Sequence, residues 1–229
     1  MRTPVCLFIA RDDSLDRRVS RATTGARRQR RSECGATLLR IALGHATGTS
    51  PAAWSTTRTS SGRPVVEMSP PTAGRMRISL AHSGPYLAAS TSALGRVAVD
   101  LEVFRERRFA EIARHLDWPA HIPGNGLAGD AFFHLWTLWE ASIKLASDHP
   151  GFAAADLFAS IVRETDAGRP GMVRLGTRIA RSWRCAGRFW MSVLAENADE
   201  IRVFRLRSPP SDELHAEIEE LFDRPGSMC

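Results

Sequence analysis

The sequence contains almost no lysine. Lysine and arginine together number 31 among 229 residues, and Lys144 is the one lysine in the printed sequence. An ammonium group can lose a proton or contact a single phosphate oxygen, whereas a guanidinium is a flat fork that stays charged. Because this chain uses arginine for nearly every cation, Lys144 is unlike an interchangeable surface charge, and we infer a specific chemical role for it.

Cysteine is scarce, and long apolar runs are absent. The four cysteines, Cys6, Cys34, Cys185 and Cys229, are scattered without the spacing of metal ligands. The apolar segment at 5–10 is too short for an export signal or for a membrane span, which needs about 20 residues. We therefore expect a cytoplasmic protein with no membrane partner.

The composition is that of a globular protein with an excess of positive charge. Hydrophobic residues make up 43% and charged residues 24% of the chain, which is long enough for one larger domain or two small ones. The net charge of +6 favours anionic partners. Residues 17–33 hold much of the positive charge, although a solvated helix face in an arginine-rich chain explains that segment equally well.

The order of apolar and turn-forming segments predicts a mixed fold. Helices are predicted at 27–43, 108–116 and 132–145, a hairpin at 75–90 with its turn at 83–85, and strands at 5–10, 96–102, 157–164, 172–176, 187–196 and 200–206. Helices followed by antiparallel strands occur twice, which is typical of an α+β fold with two similar lobes. We place these lobes at 1–99 and 100–229.

Two acids alternate with apolar residues in the predicted strand VAVDLE. Asp100 and Glu102 project to one face, and Val99 and Leu101 to the other. Carboxylates held about 7 Å apart along a strand can share a cation. The alternative is a strand end whose acids are simply solvated.

A third acid lies on the predicted helix FFHLWTLWEASIKL. Phe132, Trp136, Trp139 and Ile143 follow the spacing of a buried stripe, and Glu140 and Lys144 stand one turn apart and face one another. The alternative is a surface ion pair, but arginine would serve that purpose equally well. The lone lysine weighs against it.

The three acids favour a hard cation. Mg²⁺ is commonly held by a few carboxylates together with substrate phosphates, so Asp100, Glu102 and Glu140 suggest transfer of a phosphate-linked group. His82, beside the hairpin turn, could donate a hydrogen bond to a phosphate oxygen. Taken alone, a turn histidine is more often a solvated bystander.

Four stretches of the sequence belong together: RTSSGRP at 58–64, ISLAHSG at 78–84, VAVDLE at 97–102 and FFHLWTLWEASIK at 132–144. Together they resemble the 4'-phosphopantetheinyl transferases of the surfactin-synthetase-activating type, over roughly residues 27–205. The last stretch has that family's aromatic lead, its W-T/S-x-K-E-A/S pattern with one exception, and its closing lysine. No single stretch is specific, but the set is.

The resemblance implies a fold and a reaction. The fold is a pseudo-dimer of two α+β lobes with coenzyme A in the cleft between them. The reaction transfers the phosphopantetheine arm of coenzyme A to a serine of an acyl or peptidyl carrier protein in secondary metabolism, and it releases adenosine 3',5'-bisphosphate. We expect a monomer, because two lobes in one chain suffice, and no nucleic-acid partner.

The resemblance also implies roles for individual residues. Asp100, Glu102 and Glu140 would hold Mg²⁺ against the pyrophosphate, and Glu140 would take the serine proton, directly or through water. Lys144 would steady or protonate the leaving bisphosphate, and His82 would contact a phosphate of coenzyme A. The remaining coenzyme A contacts fall on Arg58, Arg63 and Ser83, with Arg31 and Ser32 as further candidates.

Three departures from the family pattern keep other hypotheses open. The chain has Trp139 where the family has lysine, Ala98 where it has glycine, and Ala81 where it has serine. A diverged relative that binds coenzyme A thioester or carrier protein, with weak or different activity, is therefore the second hypothesis. A nucleic-acid-binding module using the arginine-rich N-terminus is the third, but it leaves the three acids unexplained.

Overall fold

The computed structural model describes residues 4–15, 24–68, 70, 75–105, 112, 129–147, 153–165, 169, 171–185, 188–206 and 218–221. The helices are α1 (Asp12–Leu15), α2 (Thr24–Thr47), α3 (Asp130–Ala146) and α4 (Ala154–Arg163), with a short 3-10 turn at Pro51–Ala53. The strands are β1 (Val5–Arg11), β2 (Ser55–Arg58), β3 (Pro64–Met68), β4 (Arg77–Ser83), β5 (Tyr86–Ser92), β6 (Val97–Val103), β7 (Gly171–Leu175), β8 (Arg178–Cys185), β9 (Phe189–Glu196), β10 (Ile201–Leu206) and β11 (Ile218–Leu221).

Two main sheets organise the described residues. The first has the strand order β11-β10-β1-β5-β4 and the second β6-β9-β8-β7, while β2 and β3 form a separate hairpin. The pairing of β1 with β10 is parallel, and the other pairings among the described strands are antiparallel. The predicted α+β fold class is confirmed.

The two sheets pack face to face, and each has a helix on its outer face. Val5 and Leu7 of the first sheet meet Val99 and Leu101 of the second in one buried cluster. The alternate β1 residues turn outward, so that Phe8 packs with α2. Helices α3 and α4 cover the outer face of the second sheet. Strands buried on both faces read as continuous apolar runs, which explains why β1 shows little alternation.

The same strand order occurs in both sheets. In each, a strand (β1 or β6) is followed by a helix (α2 or α3) and later by two strands, the second of which inserts between the other two. The predicted boundary between residues 99 and 100 falls inside β6, which belongs to the second sheet. Strand β10 joins the first sheet beside β1, although it comes late in the chain.

One predicted strand is wrong, strand β8 was not predicted, and one predicted helix lies almost wholly outside the described residues. Residues 157–164 were predicted as a strand, and this is wrong: residues 157–163 belong to α4, Glu164 caps its end, and Leu157, Phe158 and Ile161 form its buried face. Strand β8 was missed because arginines at every third position of RIARSWRC obscure its alternation. The helix predicted at 108–116 lies outside the described residues, apart from Ile112.

The buried face of α3 differs from the predicted stripe. Phe132 and Trp139 are buried, but Ile143 is 38% exposed. The cause is that α3 packs on two partners at once, the second sheet and α4, so its contact surface is wider than one stripe. Trp139 packs edge-to-face on Phe158 of α4 at a centroid distance of 5.1 Å. Among the described residues, no helix combines the length and the apolar character needed to cross a membrane.

Candidate functional site

Strand β6 directs Asp100 and Glu102 toward α3. Val99 and Leu101 point into the core between the sheets, and Ala98 packs against α3 on the opposite face. Asp100 lies on that same α3 side because side chains alternate along a strand, and it is only 7% exposed. The predicted alternation of acids and core residues is therefore found in the strand.

Lys144 pairs with Asp100 across the gap between α3 and β6. Its Nζ donates to Asp100 Oδ1 at 2.7 Å and to the backbone oxygen of Val99 at 3.0 Å. The sequence predicted that Lys144 would face Glu140 on its own helix. Although the Lys144 charge acts on the pKa of Glu140, the Glu140 carboxylate makes no hydrogen bond among the described residues, and the direct partner of Lys144 is on the neighbouring strand.

Two arginines fix the last turn of α3. Arg63 donates to the backbone oxygen of Lys144 at 2.9 Å, and Arg96 donates to that of Leu145 at 3.2 Å. The last carbonyls of a helix lack partners within it, and cations near them are favoured by the helix dipole. These bonds hold the backbone from which the Lys144 side chain extends.

Serines of β4 join that strand to β6. Ser79 Oγ accepts from the Val99 N–H at 3.1 Å, and Ser83 Oγ accepts from the Val103 N–H at 3.1 Å. Ser83 also donates to Glu102 Oε2 at 2.9 Å, which orients that carboxylate. Both serines are buried. Their hydroxyls satisfy edge donors of β6 that no backbone strand meets at that point.

The turn after Ser83 requires glycine. Gly84 has a φ of +56°, and a Cβ at this position would lie 3.0 Å from Val103 Cγ2. A side chain here would be strained by its backbone and crowded by β6. The tight turn keeps His82 and Ser83 beside the end of β6.

The three acids influence one another. Burial, followed by the lesser effects of Glu102 and Glu140, raises the pKa of Asp100 to about 7, although Lys144 opposes this shift. Burial also raises the pKa of Glu140, with Lys144 opposing and Glu102 adding to the increase. Acids from β6 and α3 therefore lie within electrostatic reach of each other and of Lys144.

A group of cations lies around His82. The histidine is exposed at the surface, yet partial desolvation still lowers its pKa, and the charges of Arg31, Lys144 and Arg58 lower it further, against Glu102. At neutral pH the imidazole is therefore uncharged and can donate one hydrogen bond. A site that disfavours a further positive charge is one that can accommodate an anion.

The other predicted coenzyme A contacts come from α2 and from the β2–β3 hairpin. Arg31 pairs with Asp12 at 3.0 Å, and Ser32 is exposed on α2. Arg58 donates to the Gly62 carbonyl at 2.6 Å, inside the β2–β3 hairpin.

A cleft of about 900 Å³ opens on the other side of Lys144. It lies between the β2–β3 hairpin, β4, the start of β6 and the end of α3. Its charged lining is mostly positive: Arg63, Arg75, Arg77, Arg96 and Lys144, with Glu67 as the acid. Arg75 and Arg77 are exposed, and neither side chain makes an ion pair or hydrogen bond with any described residue. Such a cleft favours a large anion.

Sequence reasoning found Arg63 and Lys144 in this lining but missed Arg75, Arg77 and Arg96. The signal was present, because Arg75 and Arg77 alternate directly before ISLAHSG. Arg96 gave no such signal. It is held by Glu196 through two hydrogen bonds of 2.7 Å each, a contact between distant parts of the chain.

The three carboxylates are of the chemical type that binds a hard cation, but one of them, Asp100, is already paired with Lys144. Carboxylate oxygens are the ligands that Mg²⁺ prefers, and Asp100 Oδ2 is buried with no hydrogen-bond partner among the described residues. Asp100 Oδ1, however, is taken by the ammonium. No group of three or more His, Cys, Asp or Glu side chains in the described part of the chain is arranged to hold a metal ion. The magnesium site stays a prediction.

The three departures from the family pattern lie in the cores. Trp139 and Ala98 pack between the second sheet and its helices, and Ala81 lies in the core between the sheets. None of them lines the cleft. No protein-family model matches the chain, and no curated protein matches it either.

Proposed function

We propose that the chain is a Mg²⁺-dependent 4'-phosphopantetheinyl transferase, which moves the phosphopantetheine arm of coenzyme A to a serine of an acyl or peptidyl carrier protein in secondary metabolism. One observation carries the proposal. Asp100 of β6 pairs with the half-buried Lys144 of α3, within electrostatic reach of Glu102 and Glu140, and the same lysine borders a large arginine-lined cleft. A phosphate-transfer enzyme needs both an acidic cation site and a basic anion site next to each other.

The two sheets would be the two lobes of a pseudo-dimer. The recurring order of β1-β5-β4 and β6-β9-β8, each with one helix following its first strand, supports this division. The lobes then correspond to the sheets rather than to a cut at residue 99. One chain would contain both halves of the site, so a cytoplasmic monomer would be sufficient.

Coenzyme A would bind in the cleft through its phosphates. Arg63, Arg75 and Arg77 supply cations along the cleft, while His82 with Arg31 and Arg58 supplies a second group beyond Lys144. Ser32 and Ser83 are the remaining polar candidates, although Ser83 is already engaged with Glu102. A neutral His82 suits this role because its ring already carries one N–H that can donate to a phosphate oxygen, without taking up a second proton.

Asp100, Glu102 and Glu140 would hold the magnesium ion. When bound, Mg²⁺ would neutralise charge on the pyrophosphate and polarise it. The buried, unpartnered Oδ2 of Asp100 and the Ser83 bond that orients Glu102 are the features of this chain that suit such a role.

Glu140 would act as the general base. Burial raises its pKa, which makes a carboxylate a better proton acceptor. The serine oxygen of the carrier forms a bond to the β-phosphorus, its proton passes to Glu140, and the bond between that phosphorus and the bridging oxygen breaks. The bisphosphate leaves with the bonding electrons, and Lys144 neutralises the departing oxygen.

The carrier protein would dock on the positively charged surface. Carrier proteins of this kind are acidic, and the chain has a net charge of +6. Nucleic acid is not required to explain this charge, because the arginines of the cleft and around His82 would meet the phosphates of coenzyme A.

A loading assay tests the proposal. The protein is incubated with coenzyme A, Mg²⁺ and a panel of apo carrier proteins, and each carrier is weighed by mass spectrometry. We expect a mass increase of one phosphopantetheine arm on the conserved serine of at least one carrier, and no increase with chelator present. If coenzyme A binds but no carrier gains mass, the diverged binding protein is the better description.

A further inference from the structure

We propose that Lys144 is a built-in counter-ion that occupies the place of a divalent cation on Asp100, and that it must leave Asp100 before a metal ion can bind there. The inference rests on the proposed function, since it assumes a cation site at Asp100. It adds an exchange: one cation of the chain itself is replaced by one from solution.

The geometry supports occupation by the lysine. Lys144 Nζ lies 2.7 Å from Asp100 Oδ1 and 3.0 Å from the Val99 carbonyl oxygen. These two oxygens come from adjacent residues of one strand, and a small hard cation would seek the same carboxylate. The ammonium excludes a metal ion from Oδ1, and a metal ion on Oδ2 of the same carboxylate would still be repelled by the ammonium beside it, so the two cations compete for Asp100.

Burial explains why a counter-ion is needed at all. Asp100 is 7% exposed, and Glu102 and Glu140 add negative charge nearby. A buried charge without a partner is strongly destabilising. Lys144 supplies that partner when no metal is bound, which keeps β6 and α3 together around an otherwise repulsive group of acids.

The cleft beside Lys144 can receive the ammonium group when it leaves Asp100. Its side chain is partly exposed and also lines the arginine cleft, and four single bonds allow its ammonium to swing. Arg63 and Arg96 hold the backbone carbonyl oxygens of Lys144 and Leu145, so the movement is confined to the side chain. A released ammonium would enter the cleft just as the anion arrives.

Arginine would not perform this exchange. A guanidinium can bind both oxygens of a carboxylate at once, and the Oδ2 of Asp100 is available for the second bond. It would hold Asp100 more tightly and release it less readily. This accounts for a lysine at this position in a chain that otherwise uses arginine.

The single lysine also makes the test direct. Lysine with an isotopic label at the side chain gives one side-chain signal by NMR, and this signal reports Lys144 alone. Metal-free protein is titrated with magnesium chloride, and a sodium chloride titration of matched ionic strength serves as the control. Calorimetry on the same samples measures Mg²⁺ binding independently.

We expect the Lys144 signal to move to the position of a solvated lysine with the same midpoint as Mg²⁺ binding. Sodium chloride should not reproduce this movement. In Asp100→Asn the signal should start near the solvated position. We also expect Lys144→Gln to bind Mg²⁺ about tenfold more tightly than wild type and Lys144→Arg about tenfold less tightly, each change corresponding to roughly 1.4 kcal/mol.

Two results would overturn the inference, and they differ in their meaning for the proposed function. If Mg²⁺ binds while the Lys144 signal stays unchanged, the exchange is wrong but the metal-dependent transferase stands. If neither wild type nor Lys144→Gln binds Mg²⁺, the exchange is wrong and the metal site fails with it. Binding by Lys144→Gln alone would support the exchange, with the lysine as the stronger competitor.

Discussion

The two sides of Lys144 differ in the sign of their charge and in their exposure to solvent. On one side, Asp100 is buried, and Glu102 and Glu140 are half-buried near it. On the other, Arg75 and Arg77 are exposed, and their side chains make no ion pair or hydrogen bond with any described residue. The acidic side is desolvated and needs a cation, while the basic side stays hydrated and ready for an anion.

The difference explains how like charges can be gathered on each side. Exposed cations repel one another weakly because water and salt screen them. Buried acids repel strongly, so the fold must place a cation among them or keep them protonated. Effects on the acidic side should therefore appear in chemistry and stability, and effects on the basic side in affinity and salt dependence.

The largest effect is expected from Glu140→Gln. Loss of a general base lowers turnover by about 10² to 10⁴-fold, and coenzyme A affinity measured with chelator present should stay nearly unchanged, because Glu140 then contributes neither a metal ligand nor a cation of the cleft. Carrier loading gives the rate, and calorimetry gives the affinity. Glu164→Gln, at an exposed acid beyond α4, is the matched control. A Glu140→Gln protein that loads carriers at the wild-type rate would remove the base from the mechanism.

The basic side is tested by the double variant Arg75→Gln, Arg77→Gln. Coenzyme A should bind about tenfold more weakly, a change of roughly 1.4 kcal/mol, and the dependence of affinity on salt should become shallower. Turnover at saturating coenzyme A should be retained. Arg205→Gln, an exposed arginine on β10, is the control. Equal losses in both proteins would mean that net charge, and not the cleft, determines binding.

Variants of Ser79 and Ser83 distinguish stabilisation of β6 from orientation of the Glu102 carboxylate. Ser79→Ala and Ser83→Ala each remove an acceptor for a β6 N–H, and each should lower the free energy of unfolding by about 1 kcal/mol. Only Ser83 also orients Glu102, so only Ser83→Ala should weaken Mg²⁺ binding. Chemical denaturation and calorimetry measure the two effects. If both variants weaken Mg²⁺ binding equally, orientation of Glu102 is not the cause.

A smaller effect is expected in the pH dependence of stability. The folded-state pKa of Asp100 is about 7, above its ordinary value of 3.8, so the folded protein holds its proton where the unfolded chain has lost it. Stability from this group is complete below pH 4 and declines as the pH rises toward 7. Denaturant titrations of metal-free protein should show that decline, and Asp100→Asn should flatten it. A steeper decline in the variant would contradict the assignment.

Much of the fold could be predicted from local pattern. Strand β6 shows alternating acids and apolar residues, and α3 shows aromatic spacing that no strand would produce. The failures came from local patterns that fit more than one structure. Residues 157–164 are apolar enough for a strand, but their buried residues follow helical spacing. Strand β8 was not predicted, because arginines at every third position of its sequence obscure the alternation of apolar residues.

The candidate site could be predicted in its members but not in its contacts. Asp100, Glu102, Glu140 and Lys144 were selected by residue type and spacing. The hydrogen bond from Lys144 to Asp100 was not predicted, because helical spacing shows which residues share a face but not which strand that face meets. Arg96 and its bonds to Glu196 join positions a hundred residues apart, and no local pattern reveals such a contact.

The parallel pairing of β1 with β10 has a consequence for how the protein forms. Residues 5–9 are matched with residues 201–205, so β1 gains this neighbour only after residue 205 has left the ribosome. Pairings this distant in sequence form slowly. A fragment ending at residue 99 would leave one edge of β1 open to other chains, and aggregation during synthesis is its expected fate.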